Sequence, residues 1–486
     1  MNGRCSRRDF LGTCAATGVV TALDFRTVLA DAGTGCLRLG VLSDIHVSTP
    51  ACVAHDEYEK STLGTLAPFE RALTAFRDRG VDAVVIAGDL TEFGLVEELR
   101  AVADVWNRVF PDDRGRDGAK VEKLFILGNH DAVAWRWKST WTGEEWEGEE
   151  RRAKWQASIA RDPAAAWRSC LGETYAPIQE KIVKGVRVIL AHWPVLPENE
   201  RNWHQDADVP GLADWFAAHA DCYSDGRPFF YVQHAHPKST CFFASVAADG
   251  GTATRVLSAY PNAIALSGHA HQPLTDGRNV WQGAFTSIGT ASLIDAGGRS
   301  WRENGAPYAK GVSGLAKMPY LRTGECRQGQ YMLLEPGRLD IERLDFQWGL
   351  PVGPDWSVRL PADGTIRFGG ENPNREVPRF AADAQVVCRK TEEGLLKVSF
   401  PAATSGGRVY DYEVRVVLEA DDHERVVASR RVLAPDYHLP LARCGRPGEV
   451  WFARQELPAK SQLRIEVYPI DCWNAFGDRI AAAVAT

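Results

Sequence analysis

The chain has no surplus of positive charge. Its 63 Asp and Glu residues outnumber 56 Lys and Arg, a formal net charge of -7, so duplex nucleic acid is excluded as a main partner. None of its 11 cysteines forms a Cys-x-x-Cys pair, and neither a zinc ribbon nor a dithiol redox motif is indicated. Beyond the N-terminus there is no run of about 20 apolar residues, the length a membrane-crossing helix requires. No transmembrane segment is therefore expected in the mature chain. Hydrophobic residues nevertheless make up 45% of the sequence, which excludes a disordered chain. At 486 residues, two or more cores are expected.

What the sequence does have is a series of Asp, His and Asn clusters, each after a short apolar run. Asp44-Ile45-His46 follows Leu37 to Leu42, and Gly88-Asp89 follows Val84 to Ala87. Gly128-Asn129-His130-Asp131 follows Leu124 to Leu127. His234, within Gln233-His234-Ala235-His236, follows Phe229 to Val232, and Gly268-His269-Ala270-His271 follows Ile264 to Leu266. Continuous apolar runs of this length read as strands buried on both faces. Helical patterns separate several of them: Pro68 to Arg79, stopped by Gly80, and Gly94 to Val109. Strands alternating with helices predict an α/β sheet whose ligand site lies beyond the carboxyl ends of the strands. All five clusters fall there. Singly, each histidine is as readily structural, and an Asp after a strand is an ordinary helix cap. Jointly, the clusters point to one site holding two metal ions. Imidazole, carboxylate and amide oxygen suit borderline transition ions such as Mn, Fe or Zn.

In type and order these clusters resemble the calcineurin-like metallophosphoesterase family, whose pattern is D-x-H, G-D, G-N-H-[DE], H, G-H-x-H, over roughly residues 37 to 345. The resemblance implies an αββα sandwich and two divalent or trivalent ions. Asp44, His46 and His271 would hold one ion, Asn129, His234 and His269 the other, and Asp89 would bridge them. Two such ions about 3.5–4 Å apart clamp a phosphate and lower the pKa of a bridging water, so the implied reaction is phosphoester hydrolysis by a metal-bridging hydroxide. His130 would stabilise the transition state or protonate the leaving oxygen, oriented by Asp131. His192, also after a strand, competes with His234 for the middle position. His234 is preferred for its His-x-His-Pro turn and its distance from the last cluster. His192 and His236 are left as groups behind the ligands or facing the substrate. Gly88 to Glu92 looks most like the class III cyclic-nucleotide phosphodiesterase branch. No tyrosine follows Gly88-Asp89, unlike purple acid phosphatases.

Ser6-Arg7-Arg8-Asp9-Phe10-Leu11 has the twin-arginine pattern, with a possible cleavage point after Ala30. An exported protein, periplasmic or extracellular, is expected, with the twin-arginine machinery as a partner. Residues 36–361 read as the catalytic domain, with a Trp-rich insertion over 135–175. There Trp135, Arg136, Trp137 and Lys138 could stack on and pair with a substrate. A Gly- and Pro-rich linker, 362–378, precedes short alternating strands that read as a β-sandwich over 379–486, weakly similar to fibronectin type III modules. The expected function is hydrolysis of a small phosphomonoester or phosphodiester. The alternative is a non-catalytic surface or glycan-binding protein built on the same scaffold.

Overall fold

A computed structural model of the chain describes residues 36–50, 64–140, 142–198, 208–241, 249–294, 325–362, 376–392, 394–420, 423–458 and 462–484. The twin-arginine segment 1–30, Trp141 and linker residues 363–375 lie outside them.

Apolar runs become strands and amphipathic runs become helices in the order expected. Strand β1 (Leu37–Leu42) leads to helix α1 (Leu66–Arg79), which buries Phe69, Ala72, Leu73 and Phe76. Gly80 ends that helix at φ 71°, a left-handed cap that glycine adopts without steric cost. Next come β2 (Ala83–Ala87), α2 (Val96–Val109), β3 (Glu122–Ile126) and the single turn α3 (Asn129–Val133). The Trp-rich segment forms a small hairpin, β4 (Trp137–Ser139) with β5 (Glu144–Glu145), then α4 (Gly148–Ala157) and α5 (Pro163–Leu171). The second half carries β6 (Ile178–Val183), β7 (Val186–Ala191), α6 (Leu212–Ala218), β8 (Phe229–Val232), α7 (Thr252–Leu257) and β9 (Ala263–Ser267). The short strands β10 (Val280–Gln282) and β11 (Thr286–Gly289) follow. Then come β12 (Gln328–Glu335) and β13 (Arg338–Asp345), with β14 (Leu350–Pro351) and β15 (Trp356–Arg359) on its outer side.

These strands make two sheets. One runs β14-β13-β12-β1-β2-β3, with β1, β2 and β3 parallel; the other runs β10-β11-β9-β8-β7-β6, with β7, β8, β9 and β11 parallel. Leu39, Val41, Val85 and Ile126 of the first sheet share a core with Val188, Phe230, Ile264 and Ile288 of the second. The outer faces pack separately, the first sheet on α1 and α2 and the second on α6 and α7. Helices cover both sides of a double sheet, so every strand that ends in a cluster is buried on both faces. The parallel strands point their carboxyl ends to one edge of the sandwich.

Beyond residue 376, a sheet of three antiparallel strands and one of four enclose a core of their own, with Val398, Phe400, Tyr412, Val414 and Ile465. Among the described residues no helix is long and apolar enough to cross a membrane, and eight cysteines are free thiols.

Candidate metal centre

The parallel pairing of β1 with β2 continues past the strand ends. The amides of Ile45 and His46 both donate to the Asp89 carbonyl, at 2.8 and 3.0 Å, and Val47 donates to Leu90. The two loops thus run side by side and carry their polar side chains to one point. Asp44, His46, Asp89, His269 and His271 all adopt positive φ, between 50° and 66°. Such conformations cost roughly 1–3 kcal/mol each and survive where the surroundings impose them. Asp and His tolerate them better than branched residues do.

Three glycines make room for this convergence. A Cβ on Gly88 would meet the ring of His234, one on Gly128 the carboxylate of Asp89, and one on Gly268 Ser43 and the Asp44 carboxylate. The glycines before Asp89, Asn129 and His269 are therefore a steric requirement of the site.

The side chains that result form the two expected groups, with ligand atoms within 4.8 Å of one another, Asp44 with His46 and His271, and Asp89 with His234 and His269; His46 with Glu92 and His130 makes a third set at the same spacing. Asp89 stands between the groups, its Oδ2 being 3.6 Å from His46 Nε2 and 3.1 Å from His234 Nε2. His271 Nε2 is 3.0 Å from Asp44 Oδ1. The Nδ1 atoms that face away are held from behind, His46 by the Glu92 carboxylate at 2.8 Å and His234 by the Ala87 carbonyl at 2.7 Å. Such contacts fix the tautomer and aim Nε2 inward. The structure thus brings together six of the seven residues expected to bind metal; the seventh, Asn129, opens α3 with its amide oxygen buried.

The donor set fits a pair of cations. His46 Nε2, His234 Nε2 and Asn129 Oδ1 are buried without a hydrogen-bond partner, a costly state unless a ligand completes it. Three fully buried carboxylates, Asp44, Asp89 and Glu92, also meet here. Burial alone would raise their pKa, yet His271 and His234 beside Asp44, and His234 and His130 beside Asp89, hold both well below the usual range. The reciprocal effect pushes His234 up to about 9, against burial, through Asp89 and Asp44. The carboxylates demand positive charge, which imidazolium or a metal can supply, so metal binding here would displace protons.

His130 lies at the edge of this group, its side chain 13% exposed and its ring 4.4 Å from that of His46. Its orientation differs from the expectation. Asp131 does not orient it: that carboxylate accepts hydrogen bonds from the amides of Leu90, Thr91 and Gly128 and from the Thr91 hydroxyl. As the third residue of α3 it caps the helix and clamps the neighbouring loop. Burial, then Asp89, pushes it up to about 6. His130 Nδ1 instead donates to the Glu92 carbonyl at 2.9 Å. Glu92 is thus a residue that sequence reasoning missed, facing His46, His130 and the Thr140 hydroxyl at once. Its place was readable, since the paired loops put the position three after Asp89 beside His46.

His192 is outside the centre. Its Nδ1 accepts from the Leu127 amide at 3.0 Å, and its ring packs against Trp167 and Tyr175. The neighbouring Trp193 takes the place at the site, its ring 5.6 Å from His269 and 5.9 Å from His234. His236 is buried and joins neither ligand group. The Trp-rich insertion also differs from its reading as a substrate platform. Trp135 is buried against Trp155, and Arg136, buried too, donates to the carbonyls of Pro197 and Glu198. Trp137 packs on the core around α2, and Lys138 pairs with Glu144 at 2.7 Å. Trp135 and Arg136 are taken up in packing, Trp137 is partly so, and Lys138 is held in a surface ion pair.

Among solved structures the chain is similar to a dimetal phosphatase from Danio rerio, with 11% identity, a TM-score of 0.38, and 66% of this chain and 98% of that one covered. A purple acid phosphatase from yellow lupin gives 12%, 0.38, 68% and 54%. A predicted phosphoesterase from Streptococcus pneumoniae gives 13%, 0.27, 67% and 98%. No curated protein matches the chain. Residues 37–273 match the family model of calcineurin-like phosphoesterases, a span that holds every residue of the two ligand groups.

Proposed function

We propose that the protein is an exported, dinuclear metal-dependent hydrolase of phosphate esters. The observation that carries this reading is the convergence of Asp44, His46 and His271 with Asp89, His234 and His269, next to the unpartnered amide oxygen of Asn129. Asp44, His46 and His271 would hold one ion and Asn129, His234 and His269 the other, with Asp89 available to either. A pair of ions in such a site supplies an acidified water and neutralises phosphate charge.

The chain's own residues do the rest. Glu92 keeps the proton of His46 on Nδ1, so that Nε2 stays a ligand atom. His130 donates from Nδ1 to the Glu92 carbonyl, so Nε2 is the atom that hands a proton to the leaving oxygen. Trp193 forms an apolar wall beside His234 and His269. Within the family the loop from Gly88 to Glu92 favours the class III phosphodiesterase branch. The C-terminal sheets act as a fibronectin type III-like docking module.

Metal analysis and hydrolysis assays test the proposal together. The purified protein should hold about two transition ions per chain and hydrolyse bis(p-nitrophenyl) phosphate or p-nitrophenyl phosphate. Asp89→Asn should lose both properties. Full metal loading without hydrolysis of any monoester or diester would instead support the non-catalytic reading.

A further inference from the structure

A cavity of about 480 Å³ lies between the metallophosphoesterase domain and the C-terminal sheets, lined among others by Thr275, Arg343, Gly353, Arg408, Asp436 and Tyr437. It is separate from the metal centre, none of whose ligands borders it. Its walls come from three places: the loop that follows His271, strand β13 with the turn after it, and two segments of the C-terminal unit.

The charge in this cavity is out of balance. Arg343 is 5% exposed, and Arg408 is half-buried. Neither is paired with a carboxylate among the described residues. Arg343 donates from Nη1 to the Leu274 carbonyl and from Nη2 to the Pro354 carbonyl, and lies 4.3 Å above the Trp356 ring. Arg408 donates to the carbonyls of Asp436, Tyr437 and Leu439. Carbonyl oxygens satisfy N–H groups but do not neutralise a cation, and a buried charge without a counter-charge is expensive. The one carboxylate on the wall, Asp436, is held through Oδ2 by the amides of Gly445 and Arg446. Among the lining residues two guanidiniums stand against one carboxylate, while Asp355, next to the lining Pro354, acts on Arg343 from outside the wall. Burial, then the neighbouring Arg408, pushes Arg343 down to about 9, still protonated at neutral pH. The two cations therefore sense each other across the space.

Two donors are also left over. Arg343 Nε and Thr275 Oγ1, on two residues that line the cavity, are buried and have no hydrogen-bond partner. A buried donor without an acceptor costs about 1–3 kcal/mol, and here both belong to residues that line a space large enough for a ligand. Guanidinium, hydroxyl and a second guanidinium on different walls suit a tetrahedral oxyanion better than a planar carboxylate, which one arginine fork would satisfy.

We propose that this cavity is an oxyanion site that takes a phosphate group between Arg343, Arg408 and Thr275, clasping the catalytic domain to the C-terminal unit. The group can arrive as free phosphate or as the phosphoryl end of an ester, since the volume exceeds a bare phosphate.

The test uses the full chain after metal removal by a chelator, so that phosphate cannot be held by ions at the catalytic site. Inorganic phosphate is titrated in low-chloride buffer, with binding read by calorimetry and folding by the thermal midpoint. Wild type should bind phosphate with a rise in midpoint. Arg343→Gln should weaken the dissociation constant by about tenfold or more, the value of a charge-assisted hydrogen bond. Thr275→Val, which keeps shape and volume, should weaken it by severalfold and decides the matter if the arginine variant does not fold. Glycerol 3-phosphate forms the second arm: tighter binding than phosphate identifies an ester, weaker binding the free ion. Absence of phosphate binding in wild type, or equal binding in all three proteins, overturns the proposal. Equal binding would place the anion on the bare histidines of the metal centre.

Discussion

Glu92→Gln tests whether a residue outside the expected ligand set controls the affinity for an ion. The glutamate is fully buried, and its contacts are His46 Nδ1 at 2.8 Å, His130 Nδ1 at 3.8 Å and the Thr140 hydroxyl. No lysine or arginine is among them, so the positive charge its carboxylate faces is that of the imidazoles and of what they bind. Glutamine keeps the shape and can still accept from His46, so the substitution removes charge with little change of volume. Loss of a carboxylate behind a ligating imidazole weakens metal binding or activity by about ten- to a hundredfold, or about 1.4–2.7 kcal/mol. That loss should fall on the ion held by Asp44, His46 and His271, because His234 is braced by the Ala87 carbonyl instead. Competition titration with a chelator, followed by metal analysis, should show one ion weakened into that range and the other unchanged. Turnover at saturating metal should also fall, through His130. Equal weakening of both ions, or of neither, would refute the reasoning.

Other expected outcomes are more local. Gly128→Ala places a methyl against the Asp89 carboxylate at an unstrained backbone position, φ -102°; circular dichroism should stay native while metal content falls, and full metal retention would contradict it. Trp135→Ala should cost about 3–5 kcal/mol of stability and leave the ratio of monoester to diester turnover unchanged, because the ring packs on Trp155; a changed ratio at an unchanged thermal midpoint would restore its substrate role. His192 is held neutral by burial, its pKa down to about 3 from an ordinary 6.5. Its contribution is therefore complete above pH 6.5 and lost as pH falls from there toward 3. Urea midpoints of the metal-free protein should drop over that window, and less steeply in His192→Asn; identical slopes would exclude His192 as the cause.

Most of the site was legible because its ligands are placed by strands, and buried parallel strands announce themselves as apolar runs. Leu37–Leu42 and Phe229–Val232 begin and end where their hydrophobic runs do, so the residues just beyond them had one place to go. Side chains placed by contact between loops were harder. Asp131 looked like a partner for its neighbour His130, but the turn of α3 points it back at Gly128 and across at Thr91. Glu92 and Trp193 reach the centre because one segment runs beside another, and pairing between segments is not written in local composition. The insertion was misleading for a different reason. Tryptophan is equally suited to a core and to a binding face, and only the packing of Trp135 and Trp167, both buried, decides between them.

The centre straddles two sheets, and its ligands come from opposite halves of the domain. Asp44 and His269, joined by a hydrogen bond at 3.0 Å, are 225 residues apart in the chain. No N-terminal fragment that stops short of residue 271 contains the complete set, however well it folds. Tight metal uptake is thus a signal that synthesis has passed β9 and that both sheets have docked. Metal content can serve as a reporter of completed folding even in a variant that turns over no substrate.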